Sequence, residues 1–294
     1  MSTDPSAIAP PQHFREDLLA GETVLITGGG TGLGRAMAER CAAHGAKVAI
    51  FGRREEPLRE TVDAVRAAGV QAAATTCDIR EAAAVEQAVD QLEEEIGPIT
   101  ALVNNAAGNF IALSETLSRN AFDAVVRIVL YGSWNATQAL GTRWIERKSG
   151  GQVLSILTTY AWTGSPFVLP SACAKAGVMA MTRSLAIEWA TYGIRLNGIA
   201  PGPFPTEGAF SRLVPPGFLE QARLKHPLQR FGEPQELAGL AAFMLSPAGG
   251  YLNGEVITLD GGEWLKHGQE FSAYTDIPRE QLAQQMAKMK PPKG

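Results

Sequence analysis

Short apolar runs alternate along the chain with longer segments in which apolar residues recur at helical spacing. The first run, residues 23–27, ends in a cluster of glycines, and residues 35–44 then keep helical spacing up to Gly45. Short runs bounded by turn residues predict buried strands, and recurrence every three to four residues predicts helices. The segments that predict strands are 23–27, 47–51, 71–77, 101–104, 152–157, 194–200 and 256–259, and those that predict helices are 35–44, 57–68, 81–96, 120–147, 172–192 and 234–245.

This alternation predicts an α/β fold with a parallel, doubly wound sheet of about seven strands flanked by helices. No repeat or low-complexity tract divides the chain, so we expect a single α/β domain over residues 21–262. Residues 1–20 would then form an N-terminal arm. Residues 263–294 would form a C-terminal tail that includes an amphipathic helical stretch at 278–290.

Composition narrows the functional class. Hydrophobic residues at 45% and charged residues at 19% are typical of globular proteins and exclude collagen-like and disordered classes. A net charge of −4 without a run of Lys or Arg argues against nucleic-acid binding. No run of about 18 apolar residues occurs and the N-terminus resembles no signal peptide, so we expect no membrane span and a cytoplasmic location. The scattered histidines predict no metal site, and Cys41, Cys77 and Cys173 are interpreted as small buried apolar residues.

The string TGGGTGLG, residues 27–34, lies between the first predicted strand and the first predicted helix. Glycines at 28, 32 and 34 permit a tight turn, close approach to a pyrophosphate and close helix packing, while the helix N-terminus favours negative charge. The string therefore predicts a Rossmann-type dinucleotide site, with a structural glycine loop as the alternative. The expected contacts of this turn are Gly28, Thr31, Gly32, Leu33 and Gly34.

The residues at the end of the second predicted strand bear on the choice of nicotinamide cofactor. An NAD-dependent enzyme usually carries a carboxylate there, which binds the ribose 2′-hydroxyl. This chain has Arg53 and Arg54 instead, and guanidinium groups bind phosphate oxygens through charge-assisted hydrogen bonds. We therefore predict NADPH as the cofactor, with two solvated arginines as the alternative.

Ligands of open α/β sheets gather at the carboxyl ends of the strands, so further cofactor contacts are expected where other predicted strands end. Asp78 follows the third strand and can accept a hydrogen bond from an adenine amino group. The Pro-Gly segment after the sixth strand can lie over the nicotinamide, although it also suits a proline-rich turn. The expected contacts at these strand ends are Asp78, Ile79, Asn105, Ala106, Pro201, Gly202, Phe204 and Thr206.

Over about residues 20–262 the chain resembles the short-chain dehydrogenase/reductase family. The resemblance rests on the TGxxxGxG-type motif, the NNAAG run at 104–108, the helix carrying Lys175 and the Pro-Gly loop at 201–202. In common members a catalytic tyrosine lies four residues before the lysine and a serine thirteen residues before that tyrosine. Those positions hold Ser171 and Thr158 here. Either the chain is an inactive nucleotide binder, or the catalytic acid has moved.

Tyr160 is the candidate for the relocated acid, because it lies just beyond the fifth predicted strand and fifteen residues before Lys175. The run LTTYAWTGSPFVLPSACAK, residues 157–175, resembles the 2,4-dienoyl-CoA reductase branch of the family. The match extends to residues 106–110 and 208–212 and through the C-terminal tail. The resemblance implies NADPH-dependent reduction of 2,4-dienoyl-CoA to 3-enoyl-CoA, carried out by a homotetramer.

The same resemblance implies roles for individual residues. Tyr160 and Asn109 would donate hydrogen bonds to the enolate oxygen that develops on the thioester. Lys175 would hold the nicotinamide ribose, and Ser171 would support the arrangement. A packed aromatic side chain is the alternative for Tyr160, and a turn residue is the alternative for Asn109. The acyl-CoA contacts implied are Arg80, Phe110, Ser118 and Arg212.

Tyr131 departs from the family pattern, because related sequences usually carry Asn there. We interpret Tyr131 as a packed side chain, since buried tyrosines usually add apolar bulk with a satisfied hydroxyl. The alternative is that its phenol changes local hydration and so alters the proton supply and the substrate range. Two other functions remain open: a carbonyl reductase or alcohol dehydrogenase of the same family, and a catalytically silent NADPH-binding scaffold. The presence of Lys175 argues against the scaffold.

Overall fold

The computed structural model describes residues 14–206, 223–224 and 226–289. Within these residues the strands are Thr23–Thr27 (β1), Lys47–Gly52 (β2), Ala72–Thr76 (β3), Ala101–Asn104 (β4), Gly151–Ile156 (β5), Ile194–Pro201 (β6) and Val256–Leu259 (β7). The α-helices are Gly32–Ala43 (α1), Glu55–Ala67 (α2), Ala82–Ile96 (α3), Arg119–Val126 (α4), Gly132–Arg147 (α5), Tyr160–Thr163 (α6), Leu169–Glu188 (α7), Pro234–Leu245 (α8), Glu263–Gly268 (α9) and Arg279–Met289 (α10).

The strands form one parallel sheet in the order β3-β2-β1-β4-β5-β6-β7, which confirms the predicted doubly wound fold. Every residue of β1 is buried, because helices cover both faces of the sheet. Val24 and Ile26 pack into one hydrophobic core and Leu25 into the other, as alternating strand side chains require. Helices α1, α2 and α8 build the first core, and α3, α5 and α7 build the second.

The predicted helix over residues 120–147 is interrupted in the structure. A π-helical turn, Arg127–Tyr131, separates α4 from α5. The interpretation of Tyr131 as a buried ring is wrong, because its side chain is 55% exposed. The next residue, Gly132, faces the interior, because a Cβ on Gly132 would lie only 2.8 Å from the Ile79 side chain. Neighbouring helical residues point about 100° apart, so Tyr131 faces outward.

Residues on both sides of the predicted domain pack against it where the structure describes them. Leu19 is fully buried in the first core, and its N–H donates to the carbonyl of His44 at 2.9 Å. After β7 the chain forms α9 and then α10, which covers most of the predicted amphipathic stretch. The division into arm, domain and tail stays a prediction. Within the described residues no helix is both long and apolar enough to cross a membrane.

The three cysteines do not share one environment. Cys41 and Cys77 are buried as expected, and burial raises the pKa of their thiols to about 12 and about 11. Cys173 is exposed on α7, so its interpretation as a buried apolar residue is wrong. The helical spacing of α7 explains the difference, because Ala172 and Ala174 beside it are the buried residues.

Candidate active site

The glycines of the turn between β1 and α1 allow other groups to approach its backbone closely. Gly28 and Gly32 have φ of 67° and 54°, a region that favours glycine. A Cβ on Gly34 would lie only 2.3 Å from the carbonyl oxygen of Gly28, so no larger residue fits there. Thr31 occupies the N-cap of α1, and its side chain makes no capping hydrogen bond within the described part of the chain. The first N–H groups of α1 can therefore bind an anion such as a pyrophosphate.

Hydrogen bonds tie this turn to the end of β4. The Thr27 hydroxyl accepts from the N–H groups of Asn105 and Ala106, at 2.9 and 2.8 Å. The Asn105 amide donates in return to the carbonyl oxygens of Thr27, at 2.9 Å, and Gly28, at 3.3 Å. Asn105 and Ala106, the two predicted contacts just after β4, thus lie beside the glycine turn between β1 and α1, which we call the phosphate turn. The sequence analysis did not identify Thr27, although a hydroxyl that ends an apolar strand just before a glycine turn was a usable signal.

The predicted adenine and phosphate contacts lie at the ends of β2 and β3. Arg53 and Arg54 are exposed there. Asp78 and Arg80, predicted to touch different ligands, form an ion pair in which Arg80 Nε donates to both carboxylate oxygens at 2.9 and 3.0 Å. Hydrogen bonding from Arg80 holds the pKa of Asp78 below its usual range, and the charge of Arg53 acts in the same direction.

Three of the predicted catalytic residues are in direct contact. Tyr160 begins the one-turn helix α6, and its hydroxyl lies 3.1 Å from the hydroxyl oxygen of Ser171 on α7. The amide of Asn109, from the loop after β4, donates to the same phenolic oxygen at 3.3 Å. Ser171 is 2% exposed, so the Tyr160 hydroxyl contacts a buried hydroxyl group. Tyr160 is thus placed beside the helix position where the family usually carries its tyrosine.

Lys175 is the fourth predicted catalytic residue and lies one helical turn after Ser171 on the same face of α7. It is 8% exposed, and its ammonium group donates to the carbonyl oxygen of Ile156 at the end of β5. Burial lowers the pKa of Lys175 to about 8. A buried ammonium group beside the crevice is suited to binding hydroxyl groups of a ligand, because its N–H groups need hydrogen-bond acceptors where water is excluded.

The remaining predicted contacts lie in mixed environments. Phe204 is 9% exposed in the first core, and a Cβ on Gly232 would lie 2.4 Å from its ring. Ser118 is the N-cap of α4 and accepts from the N–H of Ala121 at 3.2 Å. Both residues therefore have structural roles besides any contact with a ligand. Thr206 lies beside Gly32, where its Cβ is 3.4 Å from the position of an added Cβ.

Three other predicted contacts, Ile79, Phe110 and Gly202, lie in the segments that follow β3, β4 and β6. Ile79 is 7% exposed, and its carbonyl oxygen accepts from the Asn135 amide at 3.0 Å. Phe110 packs against the small hydrophobic cluster that includes residues of α7. Gly202, which follows Pro201 at the end of β6, allows close approach to Asp260, whose Cβ would lie 2.7 Å from an added Cβ. Arg212 lies outside the described residues.

One aromatic pair near Tyr160 was not predicted. Trp162 of α6 stacks on Trp264 of α9, with ring centroids 5.3 Å apart and an interplanar angle of 30°. The two residues are about a hundred positions apart in the chain, so no local pattern indicates the contact. Across the described ranges, no group of three or more His, Cys, Asp and Glu side chains could hold a metal ion.

Comparison with known proteins adds to this geometry. The family model described as Enoyl-(Acyl carrier protein) reductase matches residues 28–263. A probable (3E)-enoyl-CoA-producing 2,4-dienoyl-CoA reductase of Caenorhabditis elegans is 42% identical over 267 residues, 89% of this chain and 86% of that protein. A probable (2E)-enoyl-CoA-producing 2,4-dienoyl-CoA reductase of Bacillus subtilis (strain 168) is 43% identical over 247 residues, 83% of this chain and 97% of that protein. The crystal structure of a short chain dehydrogenase from Bacillus anthracis is similar with a TM-score of 0.77 at 40% identity, covering 85% of this chain and 98% of the other.

The sheet order, the glycine turn and the buried lysine define a Rossmann-type oxidoreductase. With the family match and these identities, the chain belongs to the short-chain dehydrogenase/reductase family. That fold implies a nicotinamide cofactor. The residues fit such a group, because Gly28, Gly32 and Gly34 leave the space that a pyrophosphate needs and α1 has no side-chain cap on its described N-terminus.

The glycine turn makes a direct prediction. Gly34→Ala forces a Cβ against the Gly28 carbonyl, so we expect nicotinamide nucleotide affinity to fall at least about tenfold, the effect of roughly 1.4 kcal/mol. The matched control is Gly239→Ala in α8, where an added Cβ meets nothing within 4 Å. Titration of nucleotide fluorescence measures both variants. Equal affinity in the two variants would show that the close approach at residue 34 does not shape the site.

Proposed function

We propose that this protein reduces 2,4-dienoyl-CoA thioesters to 3-enoyl-CoA with NADPH. The observation that carries the proposal is the meeting of three polar groups at one point: the Tyr160 hydroxyl contacts Ser171 at 3.1 Å and Asn109 at 3.3 Å. A ketone reductase of this family needs a tyrosine, a serine and a lysine. The amide of Asn109 is a hydrogen-bond donor in addition to these three groups. A further donor suits a thioester oxygen on which negative charge develops during the reaction. The names of relatives from Caenorhabditis elegans and Bacillus subtilis support the same reaction.

The chemistry places a specific demand on the protein. When bound, NADPH supplies a hydride to the δ-carbon of the diene. Negative charge then spreads over the thioester oxygen, the α-carbon and the γ-carbon. Hydrogen-bond donors fixed near that oxygen stabilise the charge more strongly than water does, because they need no reorganisation as it develops. In this proposal the donors are the Tyr160 hydroxyl and the Asn109 amide.

The other site residues support these donors. Ser171 holds the Tyr160 hydroxyl from α7, which fixes the phenol in one orientation. Lys175, one turn further along α7, would bind the nicotinamide ribose hydroxyls with its buried ammonium group. Protonation of the α-carbon completes the reduction and gives the 3-enoyl product. Protonation of the γ-carbon would instead give a 2-enoyl product, so the position of the proton donor decides the product.

The choice of NADPH rests on charge at the end of β2. Arg53 and Arg54 are exposed beside the phosphate turn, at the position where NAD-dependent enzymes carry an acid. The charge of Arg53 also acts on Asp78, which is part of the same strand-end group. Two guanidinium groups form strong, charge-assisted hydrogen bonds with a 2′-phosphate, and they form only weaker hydrogen bonds with a neutral 2′-hydroxyl.

Two further proposals follow from the family resemblance alone. A homotetramer is the expected assembly. The acyl-CoA contacts implied for Arg80, Phe110, Ser118 and Arg212 also remain proposals. Arg80 would reach a CoA phosphate only by sharing or leaving its ion pair with Asp78.

Turnover tests the substrate class. We expect a short 2,4-dienoyl-CoA to cause steady oxidation of NADPH and to yield the 3-enoyl thioester, while saturated acyl-CoA causes none. The assay follows NADPH absorbance and identifies the product by mass spectrometry and NMR. Faster turnover of simple ketones than of the dienoyl-CoA would favour a carbonyl reductase. Tight NADPH binding with no turnover of either substrate would favour the silent scaffold.

Substitution of the β2 arginines tests the cofactor. Arg53→Ser combined with Arg54→Ser should raise the KM for NADPH about tenfold or more. This is the effect expected when the charged 2′-phosphate loses its hydrogen bonds from the guanidinium groups. The KM for NADH should change little. The matched control is Arg59→Ser, which removes an exposed arginine of α2 away from the strand end. Steady-state kinetics with both cofactors measure the effect, and an unchanged preference would refute the assignment.

Removal of the phenolic hydroxyl tests the relocated acid. Tyr160→Phe should lower kcat by about 10²-fold or more and leave NADPH affinity nearly intact, because a positioned acid acts mainly in the transition state. The control is Tyr251→Phe, since Tyr251 is fully exposed. Stopped-flow kinetics and fluorescence titration separate the two effects. If Ser171→Ala abolished turnover while Tyr160→Phe did not, the roles of the two hydroxyls would be reversed.

A further inference from the structure

Helix α9, which follows β7, touches the helix that carries Tyr160. Trp264 of α9 stacks on Trp162, which lies two residues after Tyr160 in α6. The ring centroids are 5.3 Å apart with an interplanar angle of 30°, a favourable geometry for an aromatic pair. The stack therefore links a segment beyond the last strand to the catalytic tyrosine.

Helix α6 needs such support because it is very short. It spans Tyr160–Thr163, a single turn, and ends at Gly164 with φ of 72°. A single turn is unstable by itself, since nucleation fixes several residues for one hydrogen bond. Its orientation is therefore set by what its side chains contact. Trp162 packs against the hydrophobic cluster that includes residues of α7, and its ring also meets Trp264.

Helix α9 is in turn anchored to the end of β7. The carboxylate of Asp260 accepts from the N–H of Gly262 at 2.8 Å and from the N–H of Trp264 at 2.7 Å. Asp260 is 9% exposed, so these bonds are shielded from water. Glu263 also lies 3.6 Å from the ring of buried His226. The indole of Trp264 thus projects from a backbone that is held in place.

We propose that Trp264 is a positioning residue for Tyr160. By stacking on Trp162 it fixes the rotation of α6, so that the phenolic hydroxyl stays between Asn109 and Ser171. A small rotation of a one-turn helix would break contacts of 3.1 and 3.3 Å. This inference rests on the proposed function only in assigning Tyr160 to the reaction. It gives the segment after β7 a part in the active site.

A set of variants tests this role. Trp264→Ala should lower kcat between about tenfold and about a hundredfold, the effect of small misplacement of a catalytic group, with KM for NADPH nearly unchanged. Trp264→Phe should restore most of the activity because a ring remains to stack. Trp264→Leu keeps much of the apolar volume but removes the aromatic stack, so its kcat should fall as in the alanine variant. It provides the same test if the alanine variant does not fold. The control is Phe271→Ala, which removes an exposed ring of the same segment whose contact is with Tyr274.

The decisive comparison is made in the Tyr160→Phe background. If Trp264 acts by positioning the phenolic hydroxyl, Trp264→Leu should cost little further activity once that hydroxyl is gone. An equal loss of kcat in both backgrounds would overturn the proposal, because the tryptophan would then act independently of Tyr160. A loss of the same size in Phe271→Ala would overturn it too.

A readout without turnover separates this inference from the proposed reaction. The chain has five tyrosines, so protein labelled with fluorotyrosine gives few fluorine NMR signals, and Tyr160→Phe assigns the one from Tyr160. That signal should shift in Trp264→Leu and return in Trp264→Phe. An unmoved signal in Trp264→Leu overturns the inference whatever the substrate. A wild-type protein that reduces no dienoyl-CoA overturns the proposed function and leaves this test in force.

Discussion

The site depends on how closely β1, α1 and β4 approach one another. At the carboxyl ends of β1 and β4 the chain winds to opposite sides of the sheet, and the crevice opens there. Glycine at residues 28 and 34 lets the turn lie against β4, and the Thr27 hydroxyl holds the two strand ends together. The other predicted contacts, from β2, β3, β5 and β6, meet at the same edge because the sheet is parallel.

The second constraint is that three of the four proposed catalytic residues lie on two helices, α6 and α7. Helix α7 is long, so Ser171 and Lys175 are held rigidly one turn apart. The phenol comes from α6, a single turn whose orientation depends on its neighbours. Moving the tyrosine off α7 leaves a small buried hydroxyl where a ring would otherwise stand. In our proposal the position of the Tyr160 hydroxyl then depends on packing around Trp162, which includes a contact from beyond the last strand.

The charged side chains of the crevice differ in how deeply they are buried. Lys175 is almost fully enclosed, and desolvation lowers its pKa to about 8, so its charge is sensitive to whatever binds beside it. Asp78 and Arg80 are partly exposed and neutralise each other, while Arg53 and Arg54 remain exposed at the end of β2. The guanidinium groups of Arg53 and Arg54 thus lie at the exposed part of the crevice, whereas the Lys175 ammonium group and the Ser171 hydroxyl are buried. This arrangement is suited to a ligand with phosphates at one end and a reacting carbon chain at the other.

The sequence determined the features that arise from neighbouring residues. Apolar periodicity predicted the bounds of β1, β4, α8 and β7, because strand and helix periods are local properties, and the alternation of strands and helices predicted a parallel sheet. The glycine turn and the meeting of Tyr160, Asn109 and Ser171 followed from motif spacing and the family resemblance. Only the tertiary structure decided the Asp78–Arg80 pair, the exposure of Tyr131 and the stack of Trp162 on Trp264. The stack joins residues about a hundred positions apart, so no local pattern encodes it, and the exposure of Tyr131 depends on how its helix packs on the domain. Asp78 and Arg80 are only two residues apart, but their pairing depends on the backbone conformation of the segment after β3.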